Sequence, residues 1–220
     1  MDASDLIANY PILYHMAAKG SWQSIRQHGL LSTSGLLDLY SIQGDERVAI
    51  EDRHRPESAT ISHPELGTVT IRDQKPMSDA GLQRALQDEL SPTEWYRILN
   101  SKVFFWTNVD RLYRLLSARA YRADEHDVLW VNTESVVRAH ATRIRLCSMN
   151  SGATKPFPHP RGRDTFLAIS DYPWEDWVEK RGIDEAVVEV AFEGGIPDIS
   201  RHVRRVVQMQ TTKELRVILG

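Results

Sequence analysis

The sequence of 220 residues contains one cysteine, Cys147. A single cysteine excludes a disulfide within the chain and is typical of a reducing compartment. No apolar run approaches the roughly 18 residues that a membrane-spanning helix needs. The N-terminus carries Asp2 and Asp5 and lacks a basic segment followed by an apolar one, so we expect no signal peptide and a cytoplasmic protein without membrane contact.

Several common signatures of nucleotide and hydrolase chemistry are also absent. The chain has no phosphate-binding P-loop, no glycine fingerprint of a Rossmann fold and no nucleophile elbow around a serine. The eight histidines are scattered, and no two of them stand four residues apart on a helix beside a carboxylate, so we expect no metal. If the protein uses NAD, it must do so through a fold other than the Rossmann fold.

The overall composition is that of a soluble globular domain. Hydrophobic residues make up 41% of the chain, which is enough for a core without disulfides or metals. The formal net charge of -3 argues against a strongly basic coat for nucleic acid. This net charge is compatible with a local basic groove, because a polyanion responds to the local field.

Short apolar runs alternate with amphipathic segments along the chain, which favours a mixed α+β fold. We predict strands at residues 12–15, 59–62, 68–72, 103–106, 127–133, 141–147, 165–170, 186–192, 204–209 and 215–219. We predict helices at residues 2–9, 21–28, 36–40, 77–90, 92–100, 109–121 and 173–180, with a further short helix after 133. The chain 1–220 is expected to form one domain, in which residues 44–100 are an inserted hairpin with helices.

Three segments carry candidate functional residues, and the first is the end of the first predicted strand, where Tyr14 and His15 stand. A histidine at a strand end can bind a ribose hydroxyl through one ring nitrogen while the backbone holds the other. The alternative is a core histidine whose ring is satisfied by a backbone carbonyl. The residues alone favour this alternative.

The second segment is an aromatic strand that contains Phe105, Trp106 and Thr107 at its end and leads into a helix with Arg111 and Tyr113. Aromatic rings beside a helix N-terminus can stack on a flat ligand ring, while backbone donors and an arginine bind phosphate. A core strand followed by an amphipathic helix explains the same residues without a ligand.

The third segment is the apolar strand that contains Glu189. Such a strand should not bury an unpaired carboxylate. Alternation places Glu189 on one face with Val187 and Ala191. The carboxylate therefore either lines a cleft or points into solvent.

Together these segments resemble the ADP-ribosyltransferase superfamily, and within it the branch related to the DarT toxins. The resemblance extends loosely over most of the chain and is closest to uncharacterised bacterial proteins of about this size. The matching pieces occur in the superfamily's order and are residues 13–16 with 24–31, residues 103–113, and residues 188–190 with 196–197.

The resemblance implies a split β-sheet that grips NAD in an extended groove. It assigns His15, with Tyr14 beside it, to a ribose of NAD. It assigns Glu189 to the ribose next to the bond that breaks. Cleavage of that bond passes through an oxocarbenium-like state, which a fixed carboxylate stabilises by roughly 3 kcal/mol or more in a water-poor groove.

The resemblance also implies an aromatic residue stacked on nicotinamide. Tyr113 is preferred for this role, and Phe105 and Trp106, next to Thr107 in the same cofactor-binding segment, are the alternatives. Arg111 takes the arginine position of DarT-like enzymes, where it would assist catalysis.

The irregular segment 150–164 lies just before the glutamate strand, where transferases commonly place a substrate-recognition loop. Its basic and aromatic side chains suit a nucleic acid by charge and stacking, and these residues are Lys155, Arg161, Arg163, Phe157 and His159. A second basic cluster occurs at residues 201–205. A solvated surface is the alternative for both.

We therefore expect an NAD-dependent ADP-ribosyltransferase that transfers ADP-ribose to a macromolecule, with nucleic acid favoured over protein. One alternative is hydrolysis or phosphorolysis of NAD without a macromolecular acceptor, as in NAD-depleting toxins. The other is a non-catalytic module that binds a nucleotide or a partner protein.

Overall fold

Seven antiparallel strands form the central sheet of the computed structural model, which describes residues 1–220. In chain order the strands are β1 (Ile12–Ala18), β2 (Leu30–Leu31), β3 (Ala59–His63), β4 (Gly67–Ile71), β5 (Lys102–Trp106), β6 (His126–Asn132), β7 (Ile144–Cys147), β8 (Glu189–Glu193), β9 (Gly195–Ile196), β10 (Val203–Gln210) and β11 (Lys213–Leu219). The order across the central sheet is β11-β10-β6-β1-β5-β8-β7, and β2–β9 and β3–β4 form two small antiparallel pairs. The predicted mixed α+β class is confirmed.

Ten short helices connect the strands, namely α1 (Ala3–Asn9), α2 (Trp22–His28), α3 (Thr33–Leu39), α4 (Gly44–Glu51), α5 (Asp79–Ala85), α6 (Pro92–Asn100), α7 (Val109–Leu116), α8 (Thr133–His140), α9 (Trp174–Arg181) and α10 (Ile183–Ala186). Ser91 and Glu94 form a capping box at the start of α6. Gly29 follows α2 with a φ of 89°, and a Cβ there would lie 2.6 Å from the backbone of Pro197. None of the helices combines the length and apolar character that crossing a membrane requires.

Pairing between strands is uneven at the centre of the sheet. β1 pairs with β6 along its whole length, and β5 pairs with β8 along its whole length. In contrast, β1 and β5 pair only through Tyr14 and Trp106. Beyond that pair the ladder stops, so the sheet splits between β1 and β5.

Strand alternation buries side chains on both faces of the sheet. Leu13 and Phe105 belong to the largest apolar cluster, whereas Met16 belongs to a second cluster formed with α7. Residues 44–100 form a third cluster around the fully buried Trp95 and share a fourth with Leu37 and Tyr40. Burial of apolar surface, worth about 25 cal/mol per Å², is thus the main force that holds the helices and the hairpin against the sheet.

Several helix boundaries differ from the prediction. The helix expected at 77–90 is limited to α5, because Leu86 is extended and ends it. Asp88 and Glu89 then take positive φ angles that a right-handed helix does not allow. α7 ends at Leu116 rather than at 121. α4 is absent from the prediction, because its single buried residue, Ile50, leaves almost no apolar pattern.

The strand expected at residues 165–170 is wrong. This segment makes one bridge, between Leu146 and Leu167, and otherwise belongs to 3-10 turns. Phe166 packs instead on Trp95, with ring centroids 5.9 Å apart. Tertiary packing therefore overrides the local strand preference.

Candidate functional site

The split between β1 and β5 opens into a cavity of about 320 Å³. Its walls come from both strands, from the end of the β3–β4 hairpin and from the start of the loop 150–164. The polar and aromatic residues that line it include His15, Arg72, Phe104, Trp106, Ser151 and Glu189. His15 and Glu189, which the resemblance assigns to the riboses of NAD, thus line one cavity.

β5 stands between His15 and Glu189. Trp106 of β5 pairs with Tyr14 on one side and with Glu189 on the other. Neighbouring strands lie about 4.8 Å apart, so roughly 10 Å separate the backbones of β1 and β8 at this row. Alternation alone would place His15 on the face opposite Glu189. Both residues nevertheless line the cavity, which lies where the pairing of β1 and β5 stops.

The His15 ring is held by the backbone of the neighbouring strand. Its Nδ1 lies 2.9 Å from the Phe104 carbonyl oxygen, and Nδ1 carries the proton because a carbonyl can only accept. Removal of the ring from water lowers the pKa of His15 to about 4, with the hydrogen bond opposing and the charge of Arg72 reinforcing this shift. The ring is therefore neutral near neutral pH.

A neutral ring with a proton on Nδ1 leaves Nε2 of His15 as an acceptor. The hydrogen bonds of the protein involve only Nδ1 of this ring. His15 is thus satisfied by a backbone carbonyl and still able to accept a hydrogen bond from a ligand hydroxyl. The sequence leaves open whether His15 is a core histidine bound to a backbone carbonyl or a ligand-binding histidine. In the folded protein these two interpretations are compatible.

Glu189 is a buried acid of the cavity, with 4% of its surface exposed. The Ser151 N–H donates to its Oε2 over 3.2 Å. Burial raises the pKa of Glu189 to about 7, against the hydrogen bonds of Ser151 and the positive charges of Arg111 and Arg161. A carboxyl that exchanges its proton near neutral pH is suited to acid–base chemistry or to stabilising a positive charge.

Arg72 is a cavity residue that sequence reasoning missed. Its guanidinium donates to the Met16 carbonyl over 3.3 Å and lies 4.9 Å from the centroid of the Tyr121 ring. These contacts hold a cation at the His15 side of the cavity, where it suits an anionic group such as phosphate. No local signal marks Arg72, because an arginine after a hairpin strand is ordinarily exposed.

Among the three aromatic residues proposed to stack on nicotinamide, Trp106 shares a face of the sheet with Glu189 and lines the cavity. Phe105 borders the cavity, but its ring is turned into the core and only 1% exposed. Tyr113 lies on α7 at a separate, shallow surface depression. Of the three rings, Trp106 is therefore the best placed for a ligand in the cavity, and Tyr113, which the sequence favours, lies outside it.

Tyr14 and Thr107 lie beside the cavity without lining it. The Tyr14 ring packs edge-on against Trp130 with centroids 5.4 Å apart. The buried Thr107 hydroxyl donates to the Val187 carbonyl over 2.5 Å. Both side chains hold the strands in place, so their expected contacts with a cofactor are not supported by the geometry.

Arg111 also stands outside the cavity wall. Its guanidinium pairs with Glu185, which follows α9 on the chain. Its positive charge still lowers the pKa of Glu189. Arg111 can therefore influence the acid electrostatically, whereas direct contact with reacting atoms is not supported.

The loop 150–164 has a buried part and an exposed part. Arg161 is 1% exposed and donates over 2.8, 2.8 and 3.0 Å to the carbonyls of Ser151, Ala153 and His159. Burial leaves Arg161 almost no surface for a nucleic acid, so the geometry does not support that assignment. Lys155 and Arg163 are exposed, as the prediction requires.

The second basic cluster, at residues 201–205, is less basic than its sequence indicates. His202 is buried, and Arg205 forms a bidentate ion pair with Glu214, with both N···O distances at 2.8 Å. Arg201 and Arg204 are exposed. The cluster therefore offers only part of the positive surface expected from the sequence.

The fold and the cavity define an α+β protein with a candidate ligand site at a split antiparallel sheet. The chain belongs to the DUF7002 family, a family of unknown function whose model matches residues 11–203. The matched region begins just before β1 and reaches the first residue of β10, so it includes His15, Arg72 and Glu189. No curated protein matches the chain.

The raised pKa of Glu189 predicts a pH-dependent cost to stability. The unfolded carboxyl ionises near pH 4.5 and the folded one near pH 7, so the unfolded state loses its proton first as the pH rises. The free energy of unfolding of Glu189→Gln, relative to that of the wild type, should therefore rise by up to roughly 3 kcal/mol across this pH window. Above the window the difference should stay constant. Urea unfolding of both proteins from pH ~5 to ~8 measures the difference. A difference that does not vary with pH would contradict the assigned pKa.

The bonds of Arg161 predict a structural role that Arg163 does not share. Arg161→Met leaves three loop carbonyls without their donor and should reduce the free energy of unfolding by about 3 kcal/mol or more. Arg163→Met, two residues away and exposed, should change it by less than about 0.5 kcal/mol. Urea unfolding measures both variants, and equal effects would show that Arg161 does not hold the loop.

Proposed function

We propose that this protein is an NAD-dependent ADP-ribosyltransferase that breaks the nicotinamide–ribose bond and transfers ADP-ribose to a macromolecular acceptor. The observation that carries the proposal is that His15 and Glu189 line one cavity at a split in the sheet. His15 and Glu189 are the two residues that the resemblance to ADP-ribosyltransferases assigns to the riboses of NAD, and their common cavity supports the proposal.

The groups around the cavity fit the chemistry of NAD. Nε2 of His15 can accept a hydrogen bond from a ribose hydroxyl. The Arg72 guanidinium can bind the diphosphate, because its planar donors match phosphate oxygens. Trp106, on the face of Glu189, offers a ring on which nicotinamide can stack.

Glu189 would act on the bond that breaks. Nicotinamide leaves with the bonding electron pair, and the ribose carbon becomes positively charged. A carboxylate fixed beside that ribose stabilises the charge, more strongly in a water-poor cavity than in bulk water. The cationic nicotinamide ring of the bound substrate also favours the ionised form of Glu189, whose pKa is otherwise raised to about 7.

The acceptor is proposed to be a nucleic acid rather than a protein. The loop that supplies Ser151 to the cavity also exposes Lys155 and Arg163 and the ring of Phe157, which is 79% exposed. Positive side chains can bind the phosphate backbone, and an exposed ring can stack on a base. An acceptor held by this loop would therefore approach the cavity from the side of Glu189.

The role of Glu189 predicts a loss of turnover without a loss of binding. Glu189→Gln should reduce the rate of nicotinamide release from NAD by ~10²–10³-fold. NAD should still raise its melting temperature. Glu193→Gln is the matched control, because Glu193 lies on the same strand, outside the cavity, and pairs with Arg145. Equal rates in the Glu189 and Glu193 variants would remove Glu189 from the mechanism.

The fate of the ADP-ribose group separates the proposal from its alternatives. The purified protein is incubated with NAD labelled in the adenine, alone and with DNA, RNA or a protein mixture. We expect label on nucleic acid that survives protease treatment. Free ADP-ribose as the only product would indicate hydrolysis. A melting temperature raised by NAD with no product in any mixture would indicate a non-catalytic binding module.

A further inference from the structure

Two histidines and an aspartate come together outside the cavity. His140 ends α8, Asp198 precedes a 3-10 turn, and His202 stands directly before β10. One nitrogen or oxygen atom from each lies within 4.8 Å of the others. None of the three residues lines the cavity between β1 and β5. The cluster therefore has no part in the proposed NAD chemistry.

The spacing of these atoms is close to that of metal ligands. His140 Nε2 donates a hydrogen bond to Oδ1 of Asp198 over 2.7 Å, at the position where a metal would replace the proton, and His202 Nε2 lies 3.3 Å from Oδ2. Ligand atoms bound to tetrahedral zinc at about 2.0–2.1 Å stand roughly 3.3 Å from one another. Small side-chain movements would therefore bring all three residues to zinc-binding distance.

His202 is the member of the cluster whose surroundings point to a ligand. The residue is only 6% exposed, and its Nε2 is buried without a hydrogen-bond partner. The nearest oxygen of Asp198 lies outside hydrogen-bond geometry. A buried nitrogen left unpaired is costly. With the proton of His202 on Nδ1, a metal ion would take up the lone pair of Nε2.

The other nitrogen of His202 is already held. Its Nδ1 lies 2.7 Å from the hydroxyl oxygen of Ser135. Metal-binding histidines almost always use their second nitrogen in this way, which fixes the ring and directs the free nitrogen to the metal. Ser135 thus orients His202 towards His140 and Asp198.

We propose that His140, Asp198 and His202 bind one Zn²⁺ ion through two imidazole nitrogens and one carboxylate oxygen. This set of donors is one that zinc accepts, with water in the remaining position. The ion would link the end of α8 to the start of β10, two segments more than 50 residues apart in the sequence, and would stabilise that junction. The expectation of no metal considered histidine pairs on one helix, and this cluster comes from separate segments.

Cobalt is the probe for this site, because four-coordinate Co²⁺ absorbs visible light and accepts the same ligands as zinc. The full-length protein is first stripped with a chelator and then titrated with Co²⁺. We expect one equivalent to bind with the spectrum of a four-coordinate ion, and Zn²⁺ to displace it. Metal should also raise the melting temperature.

Variants assign the ligands. Asp198→Asn and His202→Gln should each weaken Co²⁺ binding by more than 100-fold, and Ser135→Ala should weaken it by roughly 10- to 100-fold. His159→Gln, on the exposed part of the loop, is the matched control and should bind as the wild type does. Circular dichroism checks that each variant folds. If the buried His202→Gln variant fails to fold, Asp198→Asn still tests the site, because Asp198 is partly exposed. Absence of a saturable spectrum, or binding unchanged in Asp198→Asn, would overturn the proposal.

Discussion

The split between β1 and β5 is the constraint on which the candidate site depends. Where a ladder stops inside a protein, the backbone carbonyls that it leaves need other donors. The His15 ring donates to the Phe104 carbonyl, and Arg72 donates to the Met16 carbonyl. The side chains that satisfy these carbonyls also line the cavity. The same two side chains, His15 and Arg72, therefore both satisfy strand carbonyls and line the cavity.

A second set of contacts leads from the loop to Glu189. Arg161 holds the carbonyl of Ser151, and the Ser151 N–H donates to the carboxyl of Glu189. These contacts offset only part of the cost of burial, since the pKa of Glu189 stays raised to about 7. The protein thus keeps an acid whose ionisation is unfavourable. Such a cost is common at functional sites, where reactivity is retained at the expense of stability.

Much of the secondary structure can be predicted from local signals. The capping box at Ser91, the glycine after α2 and the apolar strand around Glu189 each act within a few residues of the chain. The prediction fails where distant contacts outweigh local preference. Phe166 is the clearest case, because its packing on Trp95 replaces the strand expected at 165–170.

The sequence by itself determines the α+β class, the strand positions of His15 and Glu189 and the presence of an acid in an apolar strand. Only the tertiary structure decides which side chains meet. Arg72 and Ser151 join the cavity from segments remote in sequence, and Tyr113 is excluded from it. The reason is physical: periodicity reports the face on which a side chain lies, whereas burial, proton affinity and ligand geometry depend on neighbours that only long-range packing brings into contact.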